Sequence, residues 1–151
     1  MKKINYGIMF LIGFMLLILN SIAFAENIVV IVNEKSPVLS ENKSSLDAKE
    51  VKDIYLGKTK FWKGALIKAV NQKDKALLAS FIEKICNMHV PDYQVYWVKL
   101  ELEVGISSPK VMETSKDVLR FVQYEKNAIG YVLESEVLDA PGVKIVLSLG
   151  E

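Results

Sequence analysis

The chain has 151 residues, 51% of them hydrophobic, and its 19 basic residues nearly balance 18 acidic ones. Removing the two lysines of the first three residues leaves 17 basic against 18 acidic, a net charge of −1. Nucleic-acid-binding proteins concentrate basic residues on one surface, whereas here the charges alternate in sign, so we expect no nucleic-acid partner.

The first 25 residues have the three parts of a cleavable secretory signal peptide. Two lysines precede an apolar run, Ile8 to Leu19, and Ala23-Phe24-Ala25 supplies the small residues of an A-x-A cleavage site. A membrane anchor is the alternative, but a spanning helix needs about 20 apolar residues. We therefore expect cleavage after Ala25, no membrane span in the mature protein, and a periplasmic or secreted location. Position 26 is Glu, not the Cys that a lipid anchor requires.

The part from 26 to 151 has the length of one domain with a substantial core. Asn27 to Asn33 is a continuous β-branched run, typical of a strand buried on both faces and placed in the middle of a parallel sheet. Helix signals alternate with further apolar runs. Predicted strands are 65–70, 128–133 and 143–149, and predicted helices begin at the S-x-x-D start signal of Ser44 and Asp47, at Asp74, at Pro91 and at Ser115. This alternation predicts a single α/β domain with a mostly parallel sheet flanked by helices.

Residues that could support catalysis are few. Cys86 and His89 are three apart and could meet on a helical turn, but the apolar neighbours of Cys86 predict a buried thiol. His89 is the single histidine, at a helix entrance. No motif for a hydrolase, a zinc protease, a redox dithiol or a nucleotide-phosphate loop is present. We expect no enzyme activity, no metal site and no cofactor.

Two longer segments are more specific. The stretch from 51 to 62 reads V-K-D-I-Y-L-G-K-T-K-F-W, and 127 to 132 reads N-A-I-G-Y-V. They resemble the L-x-x-I-F-L-G-K-x-x-x-W and G-A-I-G-Y-V stretches of the phosphate-binding receptors that feed phosphate ABC importers. The motif side chains are expected to pack the fold rather than to contact a ligand, with Gly57 as a left-handed helix cap and Gly130 allowing close approach. We also expect Trp97 in the core and Trp62 nearer the surface.

The resemblance implies a type II periplasmic-binding-protein fold, but only part of one. Those receptors have two lobes that close over a ligand and need about twice this length. The matched segments come from one lobe, the second, so the chain is similar to short, single-lobe phosphate ABC transporter substrate-binding proteins. A shared fold does not by itself imply a shared activity.

The resemblance also indicates where a ligand would bind. In the two-lobed receptors the corresponding strand runs into an Arg and then a Ser-Gly-Thr at a helix N-terminus, which suits phosphate. Here the turn reads Asn71-Gln72-Lys73-Asp74-Lys75-Ala76. We predict that Asn71, Gln72, Lys73, Lys75 and Ala76 form the ligand site, and that Asp74 caps the helix and competes with an anion for its N–H groups.

Two functions follow as hypotheses. The first is a periplasmic solute-binding-like protein of the phosphate-receptor type that binds a small anion weakly. The second is an interaction or sensory module of the cell envelope, a single lobe whose partner is another protein. A cleft formed by one lobe would leave a ligand half solvated, whereas small-molecule sites usually bury most of the surface of their ligand.

Overall fold

The structure is a computed structural model and describes residues 26–150. The predicted signal peptide lies outside the described residues. The strands are β1 (Ile28–Asn33), β2 (Phe61–Trp62), β3 (Ala65–Leu66), β4 (Lys68–Gln72), β5 (Lys110–Met112), β6 (Ala128–Leu133) and β7 (Val143–Leu149). The helices are α1 (Ala48–Tyr55), α2 (Lys75–Cys86), α3 (Val90–Val104) and α4 (Ser115–Tyr124), with a short 3-10 turn at Glu134–Glu136.

Five strands form the main sheet in the order β5-β4-β6-β1-β7. β4 pairs in parallel with both β5 and β6, whereas β1 is antiparallel to β6 and β7. Four of the five strands therefore run in one direction, which confirms the α/β fold with a mostly parallel sheet. β2 and β3 form a separate two-stranded hairpin.

β1 is the exception within this sheet. All six of its residues are buried, as the β-branched run predicted. The predictions that β1 pairs in parallel and lies at the centre of the sheet were wrong. β6 is the middle strand, and β1 runs antiparallel to both of its neighbours, β6 and β7. Burial on both faces follows from helices covering both sides of the sheet, whatever the direction of the strand.

The helices divide the core into two layers. On one face, α1, α2 and α3 bury Val51, Ile82 and Trp97 against the strands. On the other face, α4 alone covers the sheet through Val118 and Val122. The larger layer contains an aromatic group in which the rings of Phe81 and Tyr131 stack with centroids 3.7 Å apart.

Helix ends follow local sequence signals closely. Asp47 caps α1 in a capping box with Glu50, and Asp74 caps α2. Pro91 lies in the first turn of α3. The starts at Asp74 and Pro91 match the predictions, whereas Asp47 rather than Ser44 caps α1 and Thr114 rather than Ser115 caps α4. Two other expectations were wrong: the run 65–70 divides between β3 and β4, and Trp62 is buried at 7% exposure, nearly as deeply as Trp97 at 5%.

Among residues 26–150, none of the helices is both long enough and apolar enough to cross a membrane.

Candidate functional site

The predicted site lies where β4 ends and α2 begins. The Asp74 carboxylate accepts a hydrogen bond from the Leu77 N–H at 2.9 Å, and the first intrahelical bond runs from the Leu78 N–H to the Asp74 carbonyl at 2.9 Å. The N–H groups of Lys75 and Ala76 precede that bond, so helix geometry leaves them free for a ligand or water. The carboxylate and the helix dipole attract each other here, as the sequence predicted.

Lys73 is held by the neighbouring strand. Its N–H donates to the Met112 carbonyl at 2.9 Å, which continues the pairing of β4 with β5. Its ammonium group lies 2.9 and 3.2 Å from the two carboxylate oxygens of Glu113. Both side chains are mostly exposed, so the ion pair adds little stability, but it places a negative charge beside the lysine.

Gln72 is buried, and both the nitrogen and the oxygen of its side-chain amide form hydrogen bonds within the fold. Nε2 donates to the Tyr131 carbonyl at 2.6 Å, and Oε1 accepts from the Ser115 hydroxyl at 3.0 Å. The backbone N–H of Gln72 donates to the Tyr131 hydroxyl at 3.2 Å. This side chain ties β4 to β6 and to the start of α4, and its burial keeps it from the surface of the turn.

Asn71 points to the other face of β4, since successive strand residues alternate. It is 5% exposed, and its Oδ1 accepts from the Tyr131 hydroxyl at 3.4 Å. It lines a cavity with Tyr93 and Trp97 of α3. The structure thus separates the predicted residues: Lys73, Lys75 and Ala76 are exposed at the turn, whereas Asn71 and Gln72 are buried on opposite faces of the strand.

A surface concavity of about 430 Å³ adjoins the turn. Asp74, Ala76 and Ser115 line it, and its further charged side chains are Glu26, Glu136 and Lys84. Three carboxylates against one ammonium group make this concavity unfavourable for an anion. No local pattern marked Ser115 or Glu136 as neighbours of the turn, because they reach it from elements distant in the chain.

The two residues considered for catalysis lie elsewhere. Cys86 is buried, as predicted, and burial raises the pKa of its thiol to about 11, so it is protonated at neutral pH. His89 precedes α3 and makes no side-chain hydrogen bond to the helix N-terminus. In the part of the chain that the structure covers, no three His, Cys, Asp or Glu side chains converge as metal ligands would.

Several solved structures have the fold of this chain. A protein of Clostridium perfringens described as a phosphate ABC transporter substrate-binding protein, solved with bound phosphate, aligns over 80% of this chain and 44% of its own, with a TM-score of 0.58 and 25% identity. An ABC-type phosphate transport receptor from Vibrio cholerae aligns over 80% and 45%, with a TM-score of 0.59 and 17% identity. PstS from Borrelia burgdorferi aligns over 80% and 46%, with a TM-score of 0.58 and 13% identity.

The chain has the fold of one lobe of a phosphate ABC transporter substrate-binding protein. It spans less than half the length of the solved proteins that it matches. No protein-family model and no curated protein matches the sequence significantly. These three structural neighbours are binding proteins rather than enzymes.

Proposed function

We propose that this chain is an exported solute-binding-like protein of the phosphate-receptor type, and that the turn from Asn71 to Ala76 binds a small anion such as phosphate weakly. The observation that carries the proposal is the fold shared with phosphate receptors, together with a strand end that meets a helix N-terminus. In open α/β sheets, ligands bind in the crevice beyond the carboxyl ends of the strands.

Affinity is low for physical reasons that lie in the turn. Asp74 already takes the Leu77 N–H and adds a negative charge at the positive end of α2. Glu113 lies beside Lys73, and the Gln72 amide is engaged within the fold. The free N–H groups of Lys75 and Ala76 and the Lys75 ammonium group are the donors that an anion would use.

The test replaces the competing carboxylate. Asp74→Ser keeps a capping oxygen and removes the charge, so phosphate affinity measured by calorimetry should rise a few-fold, because a dipole-end charge is worth about 0.3–1 kcal/mol or more. Asp47→Ser is the matched control, since Asp47 caps α1 through the same geometry, accepting from the Glu50 N–H at 2.8 Å. It should leave phosphate affinity unchanged. Tight wild-type binding, micromolar or better, would contradict the weak-site proposal, and equal binding by Asp74→Ser and wild type would remove the turn as the site.

Asn71→Arg, which would restore the guanidinium of the two-lobed receptors, is a less direct test. Asn71 is buried beside the Tyr131 hydroxyl, so an arginine must rearrange its surroundings before it reaches the turn. We therefore expect a gain in phosphate affinity only in combination with Asp74→Ser.

Export is part of the same proposal. Mature protein recovered from the periplasm or medium of the native host should begin at Glu26, which N-terminal sequencing or mass spectrometry would measure. An envelope form that retains Met1 would contradict cleavage.

A second function, an interaction module of the cell envelope, is favoured by an exposed apolar stripe on α3. Val95, Val98 and Leu102 are 55%, 57% and 82% exposed and recur at helical spacing. A stripe of this kind is the usual contact face of a helix. If α3 contacts an envelope protein, Leu102→Lys should reduce the amount of that protein that co-purifies with the chain, whereas Asp74→Ser should not. Phosphate-dependent thermal stabilisation without any such partner would favour solute binding instead.

A further inference from the structure

The segment that connects α1 to β4 has a concentrated positive charge. Residues 54–73 contain five lysines and no aspartate or glutamate, although charges alternate in sign along most of the chain. Residues 58–68, which include the β2–β3 pair, are called the basic hairpin here. Lys58 and Lys63 are exposed and Lys60 is half-buried. Within residues 26–150, none of these three ammonium groups forms an ion pair, so their charge is available to a partner.

The outer face of the basic hairpin is apolar. Phe61 of β2 lies opposite Leu66 of β3, and the two side chains are 58% and 56% exposed. The next residue of β2, Trp62, points to the opposite face and is buried in the core. The Ile67 N–H donates to the Lys60 carbonyl at 2.8 Å, which closes the base of the hairpin. Phe61 and Leu66 are therefore held outward, because Trp62 fixes the other face.

The turn of the hairpin places a lysine where the backbone disfavours one. Lys63 and Gly64 both have positive φ values, +47° and +84°, as the type I′ turn of a two-residue hairpin requires. Asn, Asp and Gly are the usual residues at the first of these positions, because other side chains strain a left-handed backbone. Strained positions of this kind cluster at functional sites. Here the strained residue carries an exposed ammonium group at the tip of the hairpin.

The surroundings of the basic hairpin add apolar groups and leave its charge in place. A concavity of about 380 Å³ lies between the hairpin and the end of α3. Leu66 and Ile106 line it, and Lys60 is the single charged residue of its lining. Asp53 is the nearest acidic residue in the sequence, and its carboxylate is already paired with the Lys49 ammonium group at 2.7 Å. A partner at this surface would therefore be anionic and would accept apolar side chains.

The composition of the hairpin favours a lipid surface over a protein. Interfaces between proteins are depleted in lysine and enriched in arginine, whereas the basic hairpin has four lysines and no arginine. Segments that bind at a membrane interface combine basic residues with Phe, Leu or Trp. Lysine side chains extend along apolar surface and keep their ammonium groups in the headgroup layer, where anionic lipids attract them.

We propose that the basic hairpin binds the exported chain to an anionic lipid surface. Phe61 and Leu66 enter the boundary between headgroups and acyl chains, and the three unpaired lysines contact lipid phosphates. The hairpin leads into β4 at Lys68, whereas the predicted anion turn follows the other end of this five-residue strand, about 15 Å away at about 3.3 Å per residue. The contact assumes the export proposed above but does not require phosphate binding at the turn.

The experiment is co-sedimentation of the mature chain, residues 26–151, with lipid vesicles. Vesicles of phosphatidylcholine and phosphatidylglycerol in equal amounts should bind the protein, whereas vesicles of phosphatidylcholine alone should not. Binding should weaken as salt is added, because salt screens the attraction between lysines and anionic lipids. Inorganic phosphate should displace no more protein than chloride at the same ionic strength, which keeps the result independent of the anion turn. Absence of binding to the anionic vesicles would overturn the proposal.

Lys63→Asn tests the charge at the tip without disturbing the turn. Asparagine is favoured in a type I′ turn, so stability in urea should be equal to wild type or higher. Affinity for the anionic vesicles should fall about five-fold, as expected for the loss of one lysine near the surface. Lys116→Asn is the matched control, because Lys116 is exposed in the first turn of α4, next to Ser115, which bonds to Gln72 at the far end of β4. Equal losses in the two variants would indicate a general charge effect and would overturn the hairpin as the contact.

Phe61→Thr tests insertion of the apolar face. Threonine suits a strand and Phe61 is exposed, so the fold should be retained, while affinity for the anionic vesicles should fall about ten-fold. Leu138→Thr is the control, since Leu138 is 78% exposed outside the hairpin, and it should bind like wild type. Unchanged binding by Phe61→Thr would mean that the attraction is purely electrostatic, as an acidic protein surface would also produce, and would overturn lipid insertion.

Discussion

Gly57 lies directly against the ring of Trp97: a Cβ atom built on Gly57 would come within 2.8 Å of Trp97 Cη2. The Gly57 backbone has a φ of +68°, in the left-handed region that side chains other than glycine rarely adopt. Nearby, the Tyr96 hydroxyl donates to the Leu56 carbonyl at 2.6 Å. The Leu-Gly pair of the receptor-like motif is therefore the place where α3 docks on the end of α1.

Gly57→Ala should destabilise the protein by about 2–5 kcal/mol, measured by urea unfolding of the mature chain. The left-handed backbone accounts for about 1–2 kcal/mol. Overpacking against the fixed Trp97 ring adds about 1–3 kcal/mol.

Gly105→Ala separates these two effects. Gly105 has nearly the same φ, +71°, but a Cβ atom there would meet nothing within 4 Å. This control variant should lose only the part of the unfolding free energy that comes from the left-handed backbone, about 1–2 kcal/mol. Equal losses in both variants would show that Trp97 moves aside without cost.

Gly130 is the second glycine of the receptor-like motifs, and its requirement is purely steric. A Cβ atom on Gly130 would lie 2.5 Å from Val118 Cγ1 and 3.0 Å from Val70 Cγ2. Gly130→Ala should therefore cost about 1–3 kcal/mol of unfolding free energy. Val118→Ala removes the nearest methyl groups, so Gly130→Ala should cost clearly less in that background. Additive losses in the double mutant would exclude a direct contact between β6 and α4 as the cause.

Local signals explain what the sequence predicted well. Asp74 as a cap, Pro91 in a first turn and Gly57 in the left-handed region depend on neighbours within a few residues. β6 was predicted with its observed bounds because a continuous apolar run needs both faces covered. The direction of β1 was not predictable in this way. The pattern of apolar side chains indicates that a strand is buried, but it does not indicate whether the strand runs parallel or antiparallel to its neighbours.

Distant contacts account for what was missed. β5 has three residues, two of them exposed, so no periodic pattern marks it. The burial of Asn71 and Gln72 depends on Tyr131, about sixty positions further along. For that reason the sequence predicted five residues of the turn as ligand contacts, whereas the side chains of Asn71 and Gln72 form hydrogen bonds within the fold.

Asn33 illustrates a stabilising contact without a local signal. Its Nδ2 donates to the carbonyls of Val122 and Gln123 at 2.9 and 2.8 Å, at the end of α4. Asn33→Ala should cost about 1–3 kcal/mol by chemical unfolding, because buried acceptors lose their donor. Asn27→Ala, just before β1 and on the surface, removes one exposed hydrogen bond to Glu134 and should cost less than about 0.5 kcal/mol. Similar losses in the two variants would contradict a special role for the buried amide.

Alkaline pH should destabilise the protein through its buried thiol. Burial raises the pKa of Cys86 from about 9 to about 11, so the folded state retains a proton that the unfolded chain has lost. The stability linked to this group is complete below pH 9 and is lost as pH rises toward 11. Cys86→Ala should flatten the dependence of unfolding free energy on pH just above 9, while the decline above pH 10 remains because burial also raises the pKa of Tyr93. An unchanged profile in Cys86→Ala would mean that the thiol ionises as easily in the folded state as in the unfolded chain.

Glu113 should limit anion binding at the turn, because its carboxylate lies 2.9 Å from the Lys73 ammonium group. Glu113→Gln removes that charge, so phosphate affinity measured by calorimetry should rise about two- to five-fold, as expected for an exposed pair worth up to about 1 kcal/mol.

Glu125→Gln is the matched control, since the Glu125 carboxylate lies 2.5 Å from the Lys68 ammonium group at the opposite end of β4. Both variants change the net charge equally, so a gain confined to Glu113→Gln would place the anion near Lys73. The gain should shrink at higher ionic strength, because salt screens exposed charges. Equal gains in the two variants would instead indicate a general charge effect, and no gain in either would favour the interaction-module function over solute binding.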